Sequence, residues 1–291
     1  NKMGYWIDLS DPYVTYKPKY METVWWLIKS ISEKGLLYKG YTVQPYSPAA
    51  GSGLSSHELN QPGAYKQISD TSVIAQFKCV EDDTSDKFNS FYPFYFLAWT
   101  TTPWTLPSNT ALTVGAKIEY SFIKTFNQYT KEKTTVVVAS ALIEKVFAKN
   151  FFIVKHEDEL ETFQESDSKI PYCVITSCKG IDIENLRYER VWDESPLPID
   201  NPENAFRVIL GDFVTTEDGT GIVHTAPTFG ADDYKAAKSA TPEVPPLQVL
   251  DSNGNKVPLV DLKGKFIDGI GMISGKYVKN EYYEEDDIPE K

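Results

Sequence analysis

Two periodicities divide the chain. Between Pro18 and Gly35, apolar residues fall at Met21, Val24, Trp25, Ile28, Ile31 and, more loosely, Leu36. That spacing is close to helical, and Gly35 is a suitable C-terminal stop. Trp25 and Trp26 read as part of a core-facing stripe on this helix. A strand-like YTVQPY follows, and then PAAGSGLSSHELNQPG, whose Gly, Ser and Pro content predicts a linker or crossing loop.

From Ser72 the pattern shortens. VIAQFKCV, FYPFYFLAWT, TALTV, YSFIKTF, TTVVVAS and FFIVKHE are β-branched and aromatic, with turn residues between them. They predict strands of a mostly antiparallel sheet or barrel. SALIEKVFAKN interrupts them as a helix. Further strands are expected at PYCVIT, FRVILGDFV and GIVHTA, a short helix at ADDYKAAKSA, and more extended chain at KVPLV and KFIDGIGM. The acidic EYYEEDDIPEK reads as a solvated surface. No internal repeat is visible.

Composition narrows the class. The 291 residues are 41% hydrophobic, which suits a globular chain with a sizeable core and not a disordered one. The net charge of −12 opposes nucleic acid, so contact with RNA needs a local basic patch or another domain. Cys79, Cys173 and Cys178 form no CxxC pair and have no histidine cluster beside them. Zinc is therefore not expected, and the sparse count suits a reducing compartment. No apolar run is long enough to span a membrane and the opening NKMGYWIDLSDPY is not a signal peptide, so a soluble, cytoplasmic protein is expected. Asn at position 1 and an already amphipathic opening suggest a fragment.

Two segments carry candidate chemistry. WTTTPWTLPSNTAL crowds Thr100, Thr101 and Thr102 at a strand end, followed by two prolines that stiffen the loop. Hydroxyls donate and accept without charge, so they can hold a sugar hydroxyl, an ester carbonyl or a water, and Trp104 offers a flat wall. The same residues also fit a threonine-rich strand end with core tryptophans. In GDFVTTEDGTGIVHTAPTFGADDY, Gly219 and Gly221 permit a tight turn, and Asp232 and Asp233 open a helix. Asp232 suits the cap, which frees Asp233 to bind an ammonium group. His224 fits a structural histidine as well as a site residue, and His57 and His156 are expected at the surface. GxSxG, HExxH and P-loop motifs are missing, so an enzyme of this sequence would position a water rather than use a covalent nucleophile.

Together, WTTTPWTLPSN and GTGIVHTAPTFGADDY resemble the two signature segments of the editing domain of isoleucyl-tRNA synthetases. YMETVWWLIKSISEKGLLYKGYTVQPYSP resembles the part of that family where the chain leaves the nucleotide-binding core. Valyl and leucyl enzymes usually carry Arg-Pro after the threonines, where this sequence has Thr102, Pro103 and Trp104, and the HTAP run also favours the isoleucyl member. The family's ATP-handling signatures, HIGH and KMSKS, are absent, so this chain is not expected to activate amino acids. Gln44, Pro45, Tyr46, Ser47 and Pro48 stand where many bacterial relatives carry a cysteine, a form similar to the eukaryote-type branch and one that argues against zinc.

The resemblance implies a β-rich α/β fold, a β-barrel with surrounding helices. It implies a helical lead-in over residues 1–50, an editing domain over 51–240 and an exit segment over 241–291. It implies hydrolysis of the ester in Val-tRNA(Ile), without cofactor or metal, with the valine-bearing tRNA end and the remainder of the synthetase as partners and no membrane. The need is physical: one missing methylene gives an isoleucine pocket only about 1–3 kcal/mol against valine, a figure for which the isoleucyl enzyme is itself the standard example. In this mapping Asp233 grips the α-ammonium. His224, Trp104 and Thr105 wall the side-chain pocket, Thr100, Thr101 and Thr102 hold the adenosine, ester and water, and Asn109 braces their loop. None of these residues looks like a strong general base, so the substrate's own ribose hydroxyl is expected to share in activating the water. The competing expectation is a module that binds the aminoacyl-tRNA 3′ end without hydrolysing it.

Overall fold

The computed structural model describes Gly4, Ser10, residues 12–38 and residues 42–283. Most of the opening segment, the start of YTVQPY and most of the acidic stretch lie outside the described residues. The chain divides into two compact units, Asn1–Thr42 and Val43–Lys291.

In the first unit, α1 (Pro18–Glu33) follows the predicted periodicity. Pro18 stands at its first turn, where a missing N–H costs nothing, and Gly35 turns the chain at φ 69° while donating to the Ser32 carbonyl at 2.9 Å. The expected core-facing stripe is not buried. Trp25 and Trp26 are 75% and 63% exposed, because among the described residues of its unit no second layer covers that face of the helix.

The second unit opens with a small hairpin, β1 (Tyr46–Ser47) and β2 (Ser52–Gly53). A helical turn, α2 (Ser56–Leu59), follows it, set by a reciprocal cap between Ser55 and Glu58. Next come β3 (Val73–Lys78), β4 (Phe94–Thr100), β5 (Ala111–Val114), β6 (Glu119–Phe126) and β7 (Lys133–Ala139). After them lie α3 (Ile143–Val146), β8 (Phe151–Ile153), β9 (Ile170–Lys179), β10 (Arg207–Leu210), β11 (Ile222–Thr225) and α4 (Ala231–Ser239). A last hairpin pairs β12 (Val249–Leu250) with β13 (Lys256–Val257). Beyond it KFIDGIGM is irregular: Gly269 and Gly271 adopt φ of 88° and 67°, which no strand continues through.

A six-stranded mixed sheet of order β3-β4-β7-β6-β9-β8 faces a three-stranded sheet of order β10-β5-β11. The ladders of the named strands alone do not close a barrel. Isolated bridges do much of the rest. Cys79 pairs with Tyr188 and Arg187 with Arg207, so a short run of chain joins β3 to β10. On the other side, Ala139 at the end of β7 donates to the Thr220 carbonyl below β11 at 2.9 Å. The first of these seams is a run of backbone bonds, among them Val80 N–H to Arg187 O, Glu189 N–H to Lys78 O and Val208 N–H to Leu186 O, each at 2.8 Å, whereas the second is the Ala139 bond. The expected β-barrel is thus an incomplete ring of two open sheets, within the β-rich α/β class that the strand pattern predicts.

The ring encloses the principal core. Along β3 the exposure alternates, with Ala75 and Phe77 inward and Gln76 outward, as a half-buried strand requires. β7 is instead buried on both faces: Val137 and Ala139 join Phe94, Phe96 and Phe122 inside the ring, while Val136 and Val138 pack outward on Leu97, Phe147 and Tyr172. That double burial explains the unbroken apolar run of TTVVVAS. Tyr120 donates to the Gly221 carbonyl at 2.8 Å and accepts from the Gly115 N–H at 3.0 Å, so a buried phenol anchors the turn that leads into β11.

Candidate active site

The threonine-rich segment leaves β4 and enters a 3-10 turn over Pro103–Ser108. Pro103 fixes the start of that turn, and Thr102 ahead of it is kept out of helical geometry at φ −127° and ψ 64°. The extended loop that the prolines suggested is thus tightened, because Thr105 N–H donates to Thr102 O and Asn109 N–H to Leu106 O, both at 3.0 Å. β5 then pairs antiparallel with β11, with Leu112 opposite His224 and Ala111 opposite Thr225. The two signature segments meet through this ladder.

A chain of buried hydrogen bonds continues their meeting. Tyr188 donates its phenol hydrogen to Asn109 Oδ1 at 2.6 Å. Asn109 Nδ2 donates to the Ala111 carbonyl and approaches His224 Nδ1, each at 2.8 Å. His224 Nε2 lies 2.9 Å from Thr105 Oγ1, which donates to the Thr102 carbonyl at 2.8 Å. Only one assignment satisfies every member: Nδ1 accepts, and Nε2 carries the hydrogen. Burial lowers the His224 pKa from 6.5 to about 4, so the imidazole is neutral at pH 7.

His224 is therefore occupied at both nitrogens and is not a free base. It and Thr105 and Asn109 form the support under the turn, while the threonines above them are more open. Thr100 is nearly buried, and its Oγ1 accepts from the Thr102 N–H at 3.0 Å and meets Thr102 Oγ1 at 3.3 Å. Thr101 and Thr102 are exposed, and the Thr101 hydroxyl has no protein partner among the described residues. Trp104 packs edge-on against Phe229, with centroids 5.0 Å apart, and its buried Nε1 has no partner among the described residues.

Asp233 lies in the first turn of α4, whose N-cap is Gly230 without a side-chain bond. Asp232 is exposed beside it and makes no capping bond, contrary to expectation. Asp233 turns back toward β11 and accepts from the Ala226 N–H at 2.9 Å. Partial burial raises its pKa, the Ala226 bond acts against that rise, and the Asp232 charge adds to it. A Cβ on Gly230 would lie 2.6 Å from the Asp233 carboxyl, so this glycine leaves the carboxylate its room. Gly230→Ala is expected to turn Asp233 aside and to cost about tenfold in any activity that needs it, with the melting temperature little changed. Unchanged activity in that variant would remove Asp233 from the site.

His224 also sets an acid sensitivity. Its pKa is lower folded than unfolded, so below about pH 6.5 the unfolded chain takes up a proton that the folded chain refuses. Stability through this group is complete above that pH and is lost as pH falls toward about 4. Asp233, raised in the fold, has the opposite sign and offsets part of the loss. Urea unfolding is expected to show about 2 kcal/mol less stability at pH 5 than at pH 7, and His224→Gln is expected to flatten that slope. A slope that survives the substitution assigns it elsewhere.

Among the described residues, no group of three or more His, Cys, Asp or Glu side chains is placed to hold a metal ion. Sequence reasoning did not find Tyr188, the outer member of the buried chain. It sits in NLRYERVW, which has no clear periodicity, and its partner Asn109 is distant along the chain.

The residues that meet at this site belong to a recognised class. The sequence matches the family of class I tRNA synthetases (I, L, M and V) over residues 1–240, and the chain belongs to that family. Its similar relatives share one specificity by name. It is 50% identical to the isoleucine–tRNA ligase of Bacteroides fragilis over 97% of this chain and 25% of that protein. It is 52% identical to that of Cytophaga hutchinsonii over 97% of this chain and 24% of that protein. The chain thus spans about a quarter of the length of the curated relatives it matches. Among solved structures, the editing domain of the P. knowlesi cytosolic leucyl-tRNA synthetase aligns with a TM-score of 0.39 at 13% identity. That alignment covers 56% of this chain and 60% of that one, a likeness too faint to bear on function.

Proposed function

We propose that this chain is a proofreading module of an isoleucyl-tRNA synthetase, and that it hydrolyses the ester joining valine to the terminal adenosine of tRNA(Ile). The observation that carries the reading is that a neutral hydroxyl ledge and a half-buried carboxylate lie on two segments joined by the β5–β11 ladder and the Thr105–His224 bond. Thr101 and Thr102 offer uncharged donors and acceptors at the end of β4, on a turn held from below by satisfied buried groups. Asp233 supplies the negative charge for an α-ammonium.

In this account the ledge orients the ester carbonyl, the terminal ribose and a water, and Asp233 holds the amino group. Rate comes from placing the water against the ester and not from a covalent nucleophile. His224 contributes a neutral ring and a fixed tautomer. Trp104, seated on Phe229, supplies a flat wall, and in this reading the space beside it discriminates by size, admitting valine and excluding isoleucine. The tRNA and the remainder of a synthetase are the partners, the latter supplying affinity that a chain of charge −12 lacks for RNA.

One observation favours the other reading, a module that binds the aminoacyl end without cleaving it: His224, the imidazole beside the ledge, is bonded at both nitrogens and is not free to act as a base. Incubation with valyl-tRNA(Ile) separates the two. Release of free valine above the spontaneous rate supports hydrolysis, and retention of intact valyl-tRNA on the protein supports binding alone.

A further inference from the structure

The hydrogen-bond chain beneath the threonine ledge has a direction, and its origin lies outside both signature segments. The Asn109 carboxamide has two orientations of nearly equal shape but opposite polarity. With Nδ2 toward His224 it donates to Nδ1, and the imidazole hydrogen must then sit on Nε2, facing Thr105. With the amide reversed, Oδ1 would face Nδ1, the hydrogen would move there, and Nε2 would become an acceptor. Thr105 would then turn its own hydrogen from the Thr102 carbonyl to His224, leaving that carbonyl one of its two bonds, the one from the Thr105 N–H. Tyr188, whose hydroxyl is 2.6 Å from Asn109 Oδ1, opposes this reversal from the far side, because the phenol would then accept from Nδ2 and its own hydrogen would be left buried without a partner.

We propose that Tyr188 is a positioning residue for the ester-hydrolysing site. Its phenol sets the Asn109 carboxamide, and through it the His224 tautomer and the place of Thr102. The proposal rests on the hydrolytic reading for its effect on rate, but not for its effect on the tautomer. Tyr188 is suited to the part. It is buried, its ring is fixed edge-on against Phe77 with centroids 5.3 Å apart, and desolvation raises its pKa well above 10, so it stays a donor. Its backbone lies on the seam that joins β3 to β10, bridged to Cys79 and bonded to the Phe206 carbonyl. The seam thus holds the phenol at a constant distance from β5 and β11. Two backbone carbonyls that accept from Asn109 Nδ2, Ala111 O at 2.8 Å and Thr225 O at 3.4 Å, hold the same amide orientation from the near side.

Tyr188→Phe keeps the ring and removes only the donor. Imidazole nitrogen resonances of the histidine-labelled chain read the tautomer without any RNA, and three histidines keep the spectrum simple. The wild-type chain is expected to show His224 as one tautomer with its hydrogen on Nε2. Tyr188→Phe is expected to populate the other and to lower kcat for valyl-tRNA(Ile) hydrolysis by about tenfold, with KM within about twofold. A near-UV circular dichroism spectrum like the wild type's verifies that Tyr188→Phe folds. Should its tautomer and its kcat both match the wild type, Tyr188 only fills space. A fall in kcat without a change of tautomer likewise overturns the relay, and a change of tautomer without a fall in kcat overturns its role in rate. A wild-type chain that shows the single tautomer but hydrolyses no aminoacyl-tRNA refutes the hydrolytic reading and, with it, the effect on rate.

Discussion

Asp233→Asn is expected to lower hydrolysis of valyl-tRNA(Ile) by about 100-fold, the worth of one charge-assisted contact to an ammonium group. The substitution isolates charge from structure. Asparagine Oδ1 can still accept the Ala226 N–H, so the tie between α4 and the end of β11 is retained. Asp233→Ala breaks that tie as well, and the difference between the two variants measures what the tie contributes. Asp232→Asn is the control, because Asp232 is exposed and touches the site only through its charge. Single-turnover rates with saturating protein decide the matter. A loss below threefold in Asp233→Asn would mean that the ammonium is held elsewhere.

The second large effect is expected at Asn109. Removing its carboxamide in Asn109→Ala leaves the Tyr188 hydroxyl, His224 Nδ1 and the Ala111 carbonyl short of partners in a buried place. Each such group costs about 1–3 kcal/mol, so a total on the order of 3–5 kcal/mol is expected even if water recovers part of it. That is a large share of the stability of an ordinary domain, roughly 5–15 kcal/mol. Asn109→Asp separates packing from polarity. It keeps the shape and can accept from Tyr188, but offers His224 no hydrogen, so a carboxylate there draws the proton to Nδ1 and raises the histidine pKa. Nitrogen resonances followed against pH read that shift. An unshifted histidine in Asn109→Asp, or a wild-type urea midpoint in Asn109→Ala, contradicts the network.

Much of this molecule is legible in its sequence because the relevant signals are local. The spacing of Met21, Val24, Ile28 and Ile31 predicts α1, and the β-branched runs mark β3 to β11 near their observed places. The gaps follow from what local patterns lack. Trp25 and Trp26 look like core residues because periodicity reports an apolar face, not the presence of a layer to cover it. FRVILGDFV reads as one long strand, yet β10 ends at Leu210. There Gly211 lies so close to Thr113 and Phe213 that a Cβ would collide with both. One seam of the ring runs through isolated bridges around Arg187 and Tyr188, which leave no pattern in either partner.

Candidate residues can be read from the sequence, but their division of labour cannot. Thr105, Asn109 and His224 stand together, as the paired segments suggest, but as support and not as an open pocket wall. No sequence pattern distinguishes a histidine with a free nitrogen from one bonded at both. That depends on Asn109 and Thr105 arriving from a different strand and turn. Asp233 and Asp232 are adjacent and chemically alike, and only the turn after β11 separates the carboxylate bonded at Ala226 from the one in solvent.

The central claim is that a neutral hydroxyl ledge and one carboxylate remove valine, and spare isoleucine, from the same tRNA. It is tested most directly by comparing single-turnover ester hydrolysis of valyl-tRNA(Ile) and isoleucyl-tRNA(Ile) by the wild-type protein and by Asp233→Asn. The account predicts that the wild type releases valine at least about 100-fold faster than isoleucine, and that Asp233→Asn loses the valine reaction. Equal rates for the two esters, or a valine rate untouched by Asp233→Asn, would contradict it.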